Sequence, residues 1–276
     1  MPQVTSFYDK HPITERQILA ALARDQKSPS TLVPEDLYPH DQDHYGGLAA
    51  VDRLIGATCI TASNLVLDVC SGLGGPARYV AQATGGRVVG IDLTASRAIS
   101  AHRLTGLVGL TPQVCFANGD AMRLPFAVDS FDVAISQEAF LHIGDKPALF
   151  AELRRVLKPG GRLAFTDWLG FSGLDGAARQ RLRDGIAASA IHEPDTYCGF
   201  LRDAGFAGVA MTDLSTEWQK ILKERLEMFR SMGPDTVRQH GADAHARYID
   251  AYEFFVARIS DGDLGGGLFT AMKPDA

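Results

Sequence analysis

Asp68, Asp92 and Asp120 each follow a short apolar run, and the first is succeeded almost at once by a glycine-rich turn, Ser71-Gly72-Leu73-Gly74-Gly75. A carboxylate at a strand tip accepts hydrogen bonds from the hydroxyls or amines of a ligand, and glycines let the backbone turn sharply and approach that ligand closely. Asp92 lies about 20 residues beyond the first glycine, where an acid reaches ribose hydroxyls in nucleotide-binding α/β folds. Asp120, at a third strand end, suits an exocyclic adenine amine. Together these residues could hold a nucleoside. Gly72-x-Gly74-x-x-Ala77 also satisfies the dinucleotide fingerprint, so this stretch alone leaves the cofactor open.

The elements that must position these acids alternate. Leu65-Val66-Leu67 reads as a strand, Pro76 opens a helix running to about Thr84, and Gly85-Gly86 breaks it before Val88, Val89 and Ile91. Residues 95–108 read as a helix, Gln113 to Ala117 and Val133 to Ser136 as strands, and Lys158-Pro159-Gly160-Gly161 as a helix stop before a strand from Arg162 to Trp168. Such alternation predicts a parallel sheet with right-handed crossovers. Residues 1–45 read as an N-terminal lid, with a helix from about Ile13 to Ala23 and an extended stretch over 26–40, and residues 46–276 as the main domain. Within it, a helical insertion over about 215–262 precedes a last strand near Gly265 to Pro274.

The chain has 276 residues, 46% of them apolar, and a net charge of −6 with no block of like charge, which disfavours nucleic acid and anionic membranes as partners. No apolar run approaches the ~18 residues of a membrane span, and the N-terminus lacks a signal pattern, so a cytoplasmic monomer or homodimer is expected. Cys59, Cys70, Cys115 and Cys198 form no C-x-x-C pair, and Asp41, Asp43 and His44 in DQDHYGG read as a hydrogen-bonded turn. No metal is expected.

LDVCSGLGGPARYVA, VVGIDLT, GDAMRLPFAVDSFDVAISQEAFLHI and ELRRVLKPGGRLAFTDW resemble, in order and spacing, the successive motifs of class I S-adenosylmethionine-dependent methyltransferases. DQDHYGG, SQEAFLHIGDK and the closing GGGLFTAMKP are similar to segments of the sarcosine/dimethylglycine and phosphoethanolamine N-methyltransferases. The resemblance implies an α/β, Rossmann-like sheet of seven strands, mostly parallel with the last antiparallel and helices on both faces. The cofactor would be S-adenosyl-L-methionine and the partner a small-molecule methyl acceptor, most of all an amine. Carried over by motif, Asp68 anchors the loop and the methionine amine, and Cys70, Ser71 and Gly72 offer backbone to the methionine end. Asp92 accepts from the ribose, Leu93 packs on adenine, Asp120 and Ala121 meet its edge with Met122 nearby, and Gln137 contacts the cofactor. Cys70 departs from the family, which has glycine there.

The resemblance also makes His142 the proton acceptor, because the matching histidine pairs with an N-terminal tyrosine. Tyr45 is chosen for that tyrosine, with Tyr8 and Tyr38 as rivals. The same fold methylates oxygen, sulfur and carbon, so the acceptor atom stays open. A cofactor-binding protein without turnover is the competing class, opposed by the intact Asp68, Asp92 and Asp120.

Overall fold

In a computed structural model, which describes residues 2–9, 11, 13–233, 237 and 241–275, seven strands form one sheet in the order β3-β2-β1-β4-β5-β7-β6. They are β1 (Leu65–Val69), β2 (Arg87–Asp92), β3 (Val114–Asn118), β4 (Phe131–Gln137), β5 (Leu157–Gly170), β6 (Ala207–Asp213) and β7 (Leu264–Met272). β1 pairs in parallel with β2 and β4, while β7 runs antiparallel to both β5 and β6. The chain leaves β1 toward β2 and β3, then returns to the other side of β1 with β4. A crevice opens at such a reversal, beyond the carboxyl ends of the strands, and Asp68, Asp92 and Gln137 all lie at those ends.

The strands alternate their side chains between two apolar layers. Val66, Val88, Val133, Ile135 and Ala164 belong to one, and Leu67, Val69, Ile91, Ala134 and Phe165 to the other. A sheet covered on both faces needs apolar residues on both, which is why these runs are apolar throughout rather than alternating with polar residues. Helices α4 (Gly47–Thr58), α5 (Gly75–Thr84) and α6 (Ala95–Leu107) supply the first layer, and α7 (Lys146–Val156) and α9 (Pro194–Asp203) the second. α8 (Gly176–Ile186) follows β5. Helices α10 (Ser215–Ser231) and α11 (Ala242–Ser260) pack on each other and on β7, with Phe229 stacked on Tyr248 at 5.6 Å. No helix among the described residues is long and apolar enough to cross a membrane.

The N-terminal region is more helical than the sequence suggested. α1 (Pro2–Asp9) precedes α2 (Glu15–Arg24), and much of the stretch expected to be extended forms α3 (Pro34–Asp41). Pro34 presets the first helical turn, and Asp36 accepts the free N–H of Val33 at 3.0 Å. α3 docks tightly: a Cβ on Gly75 would lie 2.2 Å from the Asp41 carbonyl, so only glycine admits that approach. Asp41 meets Arg78 of α5 at 2.8 Å, both side chains fully out of water. Arg78 also donates to the carbonyls of Leu73 and Ala101 and to the Thr105 hydroxyl. Removing one member leaves the other charge buried and alone, so Arg78→Met is expected to destabilise the protein by about 3–5 kcal/mol. Chemical denaturation beside Asp41→Asn, which keeps a smaller share of the hydrogen bonding, measures this.

Candidate active site

A cleft open to solvent lies over the carboxyl ends of β1, β2 and β4. Its floor is built from the turn after β1. Ser71 donates its N–H to the Ile91 carbonyl, and Gly72 and Thr94 donate theirs to the two carboxylate oxygens of Asp92 at 2.9 and 2.8 Å. Two backbone donors thus fix the carboxylate, leaving its other lone pairs for a ligand. Asn118 ties β3 to the same strand end by donating to the carbonyls of Asp92 and Leu93. Cys70 sits at φ 61°, a left-handed conformation that accounts for glycine being the usual residue there.

Unpartnered polar atoms face this floor. Asp68 Oδ2, Ser71 Oγ and Gln137 Oε1 are buried without a protein hydrogen bond, although their residues line the cleft. Burial raises the Asp68 carboxyl to about 8, with repulsion from Asp92 adding to the rise. Asp120 accepts from the Met122 N–H at 2.9 Å. Leu93, Asp120 and Ala121 line the cleft, whereas Met122 does not.

At the other end stands a histidine between two partners of opposite kind. His142 Nδ1 lies 3.1 Å from the Ala187 carbonyl, which can only accept, so Nδ1 carries the proton. Nε2 is then a bare lone pair, and the Tyr8 hydroxyl donates to it at 2.9 Å. Burial lowers the His142 imidazole to about 4, keeping it neutral at physiological pH, and raises Tyr8 far above the usual phenol range. Arg97 lies over the Tyr8 ring at 4.8 Å and pairs with Asp43 at 3.3 Å.

The tyrosine opposite His142 is therefore Tyr8, and the expectation of Tyr45 is corrected. Tyr45 precedes two left-handed glycines, Gly46 and Gly47, and its ring enters an apolar cluster with Trp168 and Trp218, at 5.7 and 5.0 Å, under the Arg225 guanidinium. Aromatic burial wins there. What Tyr45 gives the cleft is its backbone N–H, donated to Glu138 at 2.8 Å. Tyr38 packs on Tyr79 instead. Asp41, Asp43 and His44 turn to separate partners, Arg78, Arg97 and Gln42.

Sequence reasoning missed Glu138, Arg97 and Asp43 as lining residues. Glu138 has φ 51° and a carboxyl raised by burial to about 8. A non-glycine residue is held in that region only where its surroundings offset the strain. Its only trace in the sequence is its place between Gln137 and His142.

Residues 67–165 match the family described as "Methyltransferase domain". The chain is 34% identical over 231 residues to methyltransferase GfsG of Streptomyces halstedii, covering 83% of this chain and 81% of that protein. It is 30% identical over 233 residues to phosphoethanolamine N-methyltransferase 3 of Arabidopsis thaliana, covering 83% of this chain but 46% of the relative, so it spans about half the length of that protein. The fold superimposes with a TM-score of 0.82 on Haemonchus contortus phosphoethanolamine N-methyltransferase 2 in complex with S-adenosyl-L-methionine, at 21% identity, over 99% of this chain and 60% of that one. The crevice at the strand ends and the acids around it are those of a nucleoside-binding α/β fold. The chain belongs to the S-adenosylmethionine-dependent methyltransferases.

The raised acids set a pH dependence. Between pH 6.5 and 7.5 folded Asp68 and Glu138 keep their protons, while the unfolded chain has already lost them. The folded state binds more protons, so stability of the cofactor-free protein falls as pH rises, by about 1.4 kcal/mol per pH unit for each group at most. Denaturation at the two pH values checks this, and Asp68→Asn removes the share due to Asp68.

Proposed function

We propose that this protein methylates a small amine, with Tyr8 and His142 removing the proton that the amine must shed. The observation that carries the reading is the 2.9 Å bond from the Tyr8 hydroxyl to the bare Nε2 of His142, at the edge of the cofactor cleft. A protonated amine has no lone pair to offer, so its proton must pass to an acceptor before or during transfer. A histidine whose Nδ1–H is tied to a carbonyl and whose Nε2 meets a hydroxyl does this through a short relay. Tyr8 passes its proton to Nε2 and receives the one leaving the nitrogen. The phenol is therefore never a free anion, as its raised ionisation requires.

The residues present fit the cofactor. The buried acceptor atom of Asp68 lacks a partner and suits an ammonium group, whose charge would draw that carboxyl back toward ionisation. In this reading Cys70, Ser71 and Gly72 hold the methionine end, Asp92 the ribose hydroxyls, and Leu93, Asp120 and Ala121 the adenine. Gln137, with its unpartnered Oε1, stands between the two ends. When bound, S-adenosylmethionine supplies a methyl group on a sulfonium; the chain aligns the nucleophile with it and keeps water away.

The cleft's acids support an amine as acceptor: Asp43, Asp92 and Asp120 line it against Arg97 as the lining guanidinium among the described residues, and a bound cation would draw the protonated Asp68 and Glu138 back toward ionisation. Glu138 reaches the cleft beside His142 and suits the cation present before and after transfer. Relatives to which this chain is similar in sequence and in fold are named for phosphoethanolamine, which carries an amine.

S-adenosylhomocysteine release with glycine, sarcosine, dimethylglycine and phosphoethanolamine, beside hydroxyl and thiol acceptors, tests the reading. Turnover on an amine is expected, lowered roughly 100-fold or more by His142→Ala and roughly 10- to 100-fold by Tyr8→Phe. Tyr45→Phe, which keeps ring and backbone donor, is expected to retain most activity. Turnover confined to a hydroxyl or thiol would overturn the amine assignment, and full activity in Tyr8→Phe would remove the relay.

A further inference from the structure

Lys146 opens α7, where the helix dipole disfavours a cation, and its side chain is completely buried. Buried lysines ordinarily pair with acids. The hydrogen bonds of this one go instead to three main-chain carbonyls: Phe140 at 2.5 Å, Ile143 at 2.8 Å and Ala190 at 3.2 Å. All three ammonium protons are used. The first two carbonyls bracket His142, and the third lies in the segment whose Ala187 carbonyl holds the His142 Nδ1 proton.

Further bonds lace the same two segments together. Ser189 and Ala190 both donate N–H to the Leu141 carbonyl at 2.9 Å, and the Ser189 hydroxyl donates to the His142 carbonyl at 3.0 Å. Ala187 itself sits at φ 54°, a conformation that an alanine keeps only where its surroundings impose it. The carbonyl that selects the proton position on His142 thus belongs to a strained residue at the end of α8, and something must hold that residue against the turn.

We infer that Lys146 is the positioning residue that fixes the His142 imidazole in its Nδ1–H form, by tying the turn on either side of His142 to the segment carrying Ala187. Without the ammonium, three carbonyls that now converge would repel one another and the segments would part. His142 would then lose the acceptor that distinguishes its two nitrogens, and its Nε2 would no longer be reserved for Tyr8. The nearby positive charge also favours the neutral ring, adding to the effect of burial. The effect on turnover rests on the reading of His142 as proton acceptor; the tautomer itself does not.

The test is long-range proton–nitrogen correlation NMR of the full chain labelled with ¹⁵N-histidine, in which protonated and bare ring nitrogens separate. The chain has 8 histidines, and the His142→Ala spectrum identifies the relevant signals. The wild type is expected to show Nδ1–H, Lys146→Met a mixed or reversed tautomer, and Lys146→Arg, which keeps charge and donors, the wild-type pattern. On an amine acceptor, Lys146→Met is expected to lower kcat roughly 10- to 100-fold while KM for S-adenosylmethionine stays within about twofold. A folded Lys146→Met that keeps the Nδ1–H form, or a wild type that shows Nε2–H, overturns the inference. Should Lys146→Met not fold, Ser189→Ala removes one lace at the exposed rim; tautomer exchange at His142 supports the inference, and an unchanged signal opposes it. Unimpaired turnover in His142→Ala would instead remove His142 as proton acceptor and leave the tautomer result standing.

Discussion

The buried pair between Asp41 and Arg78 is the constraint on which the rest of the site depends. A guanidinium removed from water is costly unless its donors are satisfied, and Arg78 partners both terminal nitrogens by drawing three separate pieces of chain to itself, leaving only Nε without a bond. α3 arrives through Asp41, the glycine-rich turn through the Leu73 carbonyl, and α6 through Ala101 and Thr105. The turn that shapes the cleft floor is thereby fixed from behind, and the N-terminal segment is held against it at the one point where Gly75 leaves room. Asp43 and His44 follow Asp41 directly, so the pair also brings them to the rim.

Burial without water then does the electrostatic work. Asp68 and Glu138 are acids held protonated near neutrality, and His142 and His44 are histidines held neutral well below their ordinary range. All four shifts have desolvation as their largest cause. These four groups are uncharged in the cleft, and a positively charged ligand would draw Asp68 and Glu138 back toward ionisation.

The strand-tip half of this arrangement was legible because it is local. Asp68, Gly72 and Asp92 lie within one strand-turn-helix-strand unit, where β-branched runs and glycines announce both the fold and the acids at its edge. The antiparallel last strand followed from the family resemblance, whereas the strand order and the partners of β7 were not read from the sequence. The N-terminal region was less legible, since α3 depends on Pro34 and a single capping carboxylate, and α1 carries no strong apolar period. Tyr45 was preferred over Tyr8 because two glycines stand beside it. Those glycines turn the chain, however, and the ring goes to Trp168 and Trp218, where apolar area is available.

That contrast reflects how the two halves are assembled. The cofactor side uses strand tips and backbone donors, which any sequence preserving the turn will reproduce. The side that carries the proposed proton acceptor joins α1, the turn after β4 and the segment after α8, with Tyr8 and His142 separated by 134 positions. No short motif can record a bond of that kind, because each residue is locally unremarked and acquires its role only when α1 closes over the cleft. Substitutions in α1, at Glu138 or in the α8 segment would therefore leave the strand-tip turn and its backbone bonds to Asp92 in place. The fold accommodates this because the glycine-rich turn is braced by Arg78 from the opposite side of the cleft floor.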